Sequence, residues 1–142
     1  MRFAISSFMA CLWLFVAGGP VAADEVWDSD LGTVVYEKDL GDWAVWSFED
    51  SAGGNPGRIF LEGLAGVFSG RGSYSGYWMI YDQAEGPCTE SQPDIDGGES
   101  HNYGTIELTF LDPDFPSRWR AQWGVCDEAP SQEWTGTPRV GN

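Results

Sequence analysis

Apolar residues recur at every second position along much of this chain, and that period decides what it can fold into. From Gly104 to Leu111, Ile106, Leu108 and Phe110 alternate with Thr105, Glu107 and Thr109. From Ser117 to Val125, Trp119, Ala121, Trp123 and Val125 alternate with Arg118, Arg120 and Gln122. A period of two lines up one face of a β-strand, and no window carries the i, i+3, i+4, i+7 spacing of a helix. Strands are predicted near Thr33–Glu37, Trp43–Glu49, Arg58–Gly63, Gly72–Asp82, Gly104–Leu111 and Ser117–Val125, with a last one near Glu133–Thr137. Turn residues separate them, as in Asp50-Ser51-Ala52-Gly53-Gly54-Asn55-Pro56-Gly57 and Asp112-Pro113-Asp114-Phe115-Pro116. The expected fold is all-β, a small antiparallel barrel or sandwich of about six to seven strands.

The final long hairpin also limits its own register. Directly opposed residues of an antiparallel pair share a face, so their numbers must sum to an odd value if Ile106, Leu108 and Phe110 are to meet Trp119, Ala121 and Trp123. A sum of 227 sets Glu107 across from Arg120, and a sum of 229 sets Phe110 across from Trp119. Even sums oppose Phe110 to Arg118 and are excluded.

The first residues follow a different logic. Met1-Arg2 precedes a stretch from Phe3 to Ala17 that is apolar apart from Ser6 and Ser7, and Val21-Ala22-Ala23 ends it with small residues. This is the pattern of a secretory signal peptide spanning 1–23, ahead of a single domain at 24–142. The apolar run is shorter than the roughly 20 residues of a membrane span. An exported protein, periplasmic or extracellular, is therefore expected. Removing 23 of the 142 residues leaves 119 residues and two cysteines, Cys88 and Cys126. In an oxidising compartment they form a candidate disulfide.

Charge narrows the partners. Twenty-two acidic residues stand against seven Lys and Arg, a formal net charge of −15, which becomes −16 once Arg2 leaves with the signal peptide. Nucleic-acid binding needs clustered cations and is excluded on that ground. A basic protein, such as a cationic hydrolase that this chain would inhibit, is the partner such a field attracts.

Aromatic residues suggest an alternative, a carbohydrate or other small ligand. Of the seven tryptophans that follow the leader, Trp46, Trp119 and Trp123 alternate in phase with apolar neighbours and belong to the core. Trp43, Tyr77, Tyr81 and Trp134 are the candidate ligand- or partner-binding residues, with flat apolar faces and polar edges. The strand from Gly72 to Asp82 is apolar on both sides, Tyr74, Trp78 and Ile80 alternating with Tyr77, Met79 and Tyr81. It is either central and covered twice or exposes an aromatic face.

Twenty-one residues from Gln83 to Tyr103 lack any strand pattern, and loops of that length in compact domains are functional or disordered. Within them Asp94, Asp96 and Glu99 flank a Gly-Gly turn, a hard-oxygen cluster of the kind calcium accepts, without the spacing of an EF-hand. A solvated acidic loop with no cofactor is the simpler expectation. His101, the lone histidine, follows Ser100 in sequence, and adjacent residues do not make a catalytic triad. An Asp- or Glu-dependent hydrolase ranks third, and the chain is expected to bind rather than catalyse.

Overall fold

The computed structural model describes residues 25–49, 54, 56–81 and 85–140; the expected signal peptide lies outside them. Eight strands close into an antiparallel barrel: β1 (Val26–Ser29), β2 (Gly32–Leu40), β3 (Trp43–Glu49), β4 (Pro56–Glu62), β5 (Ser73–Ile80), β8 (Tyr103–Phe110), β9 (Trp119–Trp123) and β10 (Gln132–Pro138). Between β5 and β8 the chain makes a minimal ladder of β6 (Gln92–Pro93) and β7 (Glu99–Ser100). Each barrel strand pairs with the next along the chain, and β1 returns to β10. Among the described residues no helix is long and apolar enough to cross a membrane.

The alternation carries the fold. Val34, Trp46, Ile59, Ile106, Leu108, Trp119 and Ala121 point inward with almost no exposure, while the residues between them face out. The last hairpin takes the 229 register, with Phe110 opposite Trp119 and Ile106 opposite Trp123. The short β6 and β7 fall in the segment read as patternless, and one barrel strand also escaped the sequence reading. β1 has four residues and a single inward apolar side chain, Trp27, too few to display a period. Trp27 nevertheless stacks on Trp46 with centroids 4.5 Å apart and donates from Nε1 to Ser117 O at 2.8 Å. With β1 in place, β2 and β10 are joined and the sheet closes into a barrel.

An interior this narrow holds side chains or one small ligand, and here glycine makes room for the largest of them. Gly136 lies opposite Trp119, Gly104 opposite Trp78 and Gly57 opposite Phe48. A Cβ on Gly136 would stand 2.2 Å from the Trp119 ring, and one on Gly57 would stand 2.3 Å from Phe48. Large side chains facing glycine are how a small barrel fits indoles into its taper.

Both faces of β5 are covered. Tyr74, Trp78 and Ile80 face the barrel interior. On the outside, Met79 and Tyr77 join Val45, Phe60 and Tyr103 in a second cluster beneath Cys88, Ile95, Val125 and Cys126. The long segment before β8 is thus a cover for the outer wall. Cys88 and Cys126 form a disulfide with their Cα atoms 5.4 Å apart, and Cys88 N donates to His101 O at 2.9 Å.

The two ends of the barrel differ. At one, the connections β4–β5 and β8–β9 fold inward, and Arg71 makes a bidentate pair with Glu25 at 2.6 and 2.5 Å. Both side chains are almost fully buried, and the guanidinium lies 4.8 Å from the centre of the Phe110 ring. This end is closed. The other end is bounded by the β1–β2 turn, the C-terminal ends of β3 and β5, and the β9–β10 connection.

Candidate functional site

At that second end the interior is not filled. A cavity of about 180 Å³ remains, walled by the aromatic rings of Phe48, Trp78, Trp123 and Trp134. Leu31 and Ile80 add aliphatic surface, and Asn102 is the polar residue of the lining. Each wall reaches the mouth by strand geometry. Phe48, Ile80 and Trp123 are the last inward-facing residues of β3, β5 and β9, and Trp134 is the first of β10.

The rings meet at steep angles. Trp78 and Trp123 stand at 90° with centroids 5.4 Å apart, and Phe48 and Trp134 at 75° and 5.2 Å. Hydrogen bonds hold two of them: Trp78 Nε1 donates to Gly124 O and Trp134 Nε1 to Ser29 Oγ, each at 2.9 Å. Trp123 Nε1 is buried and has no hydrogen-bond partner among the described residues. A buried donor left so costs about 1–3 kcal/mol. Among the described residues no charged side chain lines the cavity.

Of the four aromatic residues singled out from the sequence, Trp134 reaches this cavity, from inside the barrel at 2% exposure. The others lie on the outer wall. Trp43 packs edge-on against Tyr77 at 5.7 Å, and Tyr77 stacks on Phe60 at 4.5 Å. Tyr81 lies beneath the Arg58 guanidinium at 4.4 Å. Phe48, Trp78 and Trp123 are the residues sequence reasoning did not assign to a site. Their signal was positional: each is an in-phase aromatic close to a strand end, and Trp123 is followed directly by a glycine.

The acidic cluster is neutralised from within the chain. Arg58 donates to Asp94 and to Asp96 at 2.6 Å each, and Ser91 donates to Glu99 at 3.0 Å. The Arg58 bond holds the Asp96 carboxyl below its ordinary range. Among the described residues no three His, Cys, Asp or Glu side chains are grouped to hold a metal ion. Asp94 and Asp96, which the sequence offered with Glu99 as a possible calcium cluster beside the simpler reading of a solvated loop, anchor the cover to β4 through Arg58.

Three tyrosines carry a pH signature, Tyr77 and Tyr81 on the outer wall and Tyr36 in the interior cluster. Burial pushes the Tyr81 phenol up to about 12, with Arg58 pulling the other way; burial and then Asp94 raise Tyr77, and burial and then the bond to Asp39 raise Tyr36. A folded-state pKa above the unfolded value of 10.0 favours the neutral phenol in the fold. The resulting stability is complete below pH 10 and is lost as pH rises through about 12. Unfolding midpoints should therefore fall over that interval, with phenolate absorbance appearing late for three of the five tyrosines. Simultaneous ionisation of all five at the ordinary value would contradict this.

Comparison with known proteins finds no matching family model, no similar curated protein and no similar solved structure.

Proposed function

We propose that this is an exported binding protein whose barrel mouth takes one small organic molecule. The observation that carries the reading is the unfilled aromatic cavity at one end of a barrel packed to its other end by indoles and a buried ion pair. An apolar cavity of about 150 Å³ is enough for a single ring, so the ligand is of that order. Affinity comes from burial against the rings, and orientation from Asn102 and the unpartnered Trp123 Nε1.

A ligand that binds only the folded state at a hundred times its Kd stabilises by about 2.7 kcal/mol. Thermal unfolding against a panel of compounds of five to ten heavy atoms should show saturable shifts for some of them. Leu31→Trp, placed in the half-buried β1–β2 turn, should fill the space, keep the fold and abolish the shift. A panel without a responder, or a shift undiminished in Leu31→Trp, would remove the proposal.

A second reading, a basic partner protein, is supported by the way the cations are spent. Four of the six bases in the described residues, Arg58, Arg71, Arg118 and Arg139, are already in ion pairs. The negative field of the remaining acids is left uncompensated. Such a partner associates through long-range attraction that salt screens. Retention of a cationic hydrolase at low ionic strength and its release by salt is the expected result; no retention even at low salt refutes it.

A further inference from the structure

Resting on the reading of the barrel mouth as a ligand site, we infer that its ligand carries a quaternary ammonium group. Three independent features of the cavity select that chemistry.

The first is the arrangement of the rings. Trp78 against Trp123 and Phe48 against Trp134 meet near the perpendicular, so the lining is a set of adjoining walls. A slot for a flat ring needs two parallel faces; the stacked aromatic pairs, Trp27 with Trp46 and Phe60 with Tyr77, lie elsewhere. Walls of π-surface around a rounded space suit a compact, globular cation, attracted to the negative faces of Trp and Phe.

The second is what the lining lacks. Among the described residues the lining holds no carboxylate, and Asn102 is its one residue with an amide side chain. A primary ammonium brings three N–H donors and would leave most of them without the acceptors that water provided. A quaternary nitrogen has no N–H and loses no hydrogen bond on entry. An anion would find no cation among the described residues of the lining.

The third is the field at the entrance. The strand ends and turns that bound the mouth carry the exposed acids Asp30, Glu49, Asp127 and Glu128. Arg58, the base on that half of the barrel, is neutralised by Asp94 and Asp96. Lys38, Arg71, Arg118 and Arg139 lie toward the closed end. A cation is drawn to the mouth, and the uncharged lining leaves its recognition to the rings.

Calorimetric titration of the wild-type protein with choline, ethanolamine and 3,3-dimethylbutan-1-ol tests this. The last is the uncharged isostere of choline, so the two differ in charge and not in shape. Choline should bind about tenfold or more tightly than the neutral isostere, as a desolvated cation–π contact implies, and more tightly than ethanolamine. Trp123→Leu, on a half-buried wall, should weaken choline about tenfold and the isostere much less. Equal or better binding of the isostere overturns the cationic inference and leaves the cavity as a site for neutral ligands. Ethanolamine matching choline overturns it in favour of a hydrogen-bonding cation. No binding by any of the three overturns the inference, whereas the cavity reading itself falls only if the whole panel above also fails.

Discussion

Glu25→Ala should cost about 3–5 kcal/mol, the penalty for leaving a buried charge without its partner. The Arg71 side chain has no exposure at all and that of Glu25 has 7%. Both guanidinium NH groups are spent on the carboxylate, and Arg71 Nε donates to Val67 O at 2.8 Å. Backbone bonds at both residues fix the site: Arg71 N donates to Pro113 O at 2.9 Å, and Tyr36 N to Glu25 O at 2.8 Å. Arg71 cannot swing into water without unseating the β4–β5 connection that plugs this end. The double replacement Glu25→Leu with Arg71→Met removes both charges and should return to within about 1 kcal/mol of wild type, since apolar groups of similar volume often substitute for buried pairs. Urea unfolding with an unchanged m-value checks both numbers. A single-mutant cost below about 1 kcal/mol would mean that the pair behaves as a screened surface contact.

The sequence made the strands legible wherever alternation ran longer than a few residues, and it restricted the β8–β9 register to two values, of which the structure takes one. Closure was a different matter. It depends on β1, whose Val26, Asp28 and Ser29 give no apolar period around Trp27, so barrel and sandwich stood equal. The two-sided strand β5 was read correctly as either covered or exposed. What decides between these is Cys88, Ile95 and Cys126, all beyond the end of the strand, which bring the cover down on Met79 and Tyr77.

The site was less legible than the fold for the same reason. A cavity is defined by what does not fill it, and that depends on how strands tilt and which end a loop plugs. Trp134 was one of four aromatic candidates for binding, whereas Trp123 was assigned to the core by a rule that holds for Trp119 two turns of the pleat away. Both face inward, and only their distance from the strand end separates packing from lining. The aspartates Asp94 and Asp96 looked like a local cation site because their partner, Arg58, comes from a strand more than 30 residues earlier.

Loss of the Cys88–Cys126 disulfide should have an effect of similar size, spread across two parts of the molecule. The cysteines are 38 residues apart, and freeing a loop of that length restores chain entropy worth about 4 kcal/mol in the unfolded state. For a domain of this size the unfolding midpoint should fall by roughly 15 °C in the Cys88→Ala, Cys126→Ala protein. The interior cluster contains neither cysteine, so the far-ultraviolet signal of the sheet should persist below the new midpoint. The outer cluster does contain them. With the clamp gone, the cover is held by the Arg58 ion pairs to Asp94 and Asp96 and by the packing of Ile95 on the outer cluster. Val45, Phe60 and Met79 should then bind a hydrophobic dye before the barrel melts. The change should also reach the mouth, because Cys126 lies two residues beyond Gly124, whose carbonyl accepts the Trp78 Nε1 hydrogen bond, and three beyond Trp123. Two walls of the cavity are thus tethered to the disulfide, and ligand affinity should weaken in the double mutant even at temperatures where it is fully folded. Unchanged affinity there would show that β5 and β9 hold those rings without help from the cover, and a midpoint lowered by less than about 4 °C, near 1 kcal/mol, would show that the cover is held by its other contacts alone.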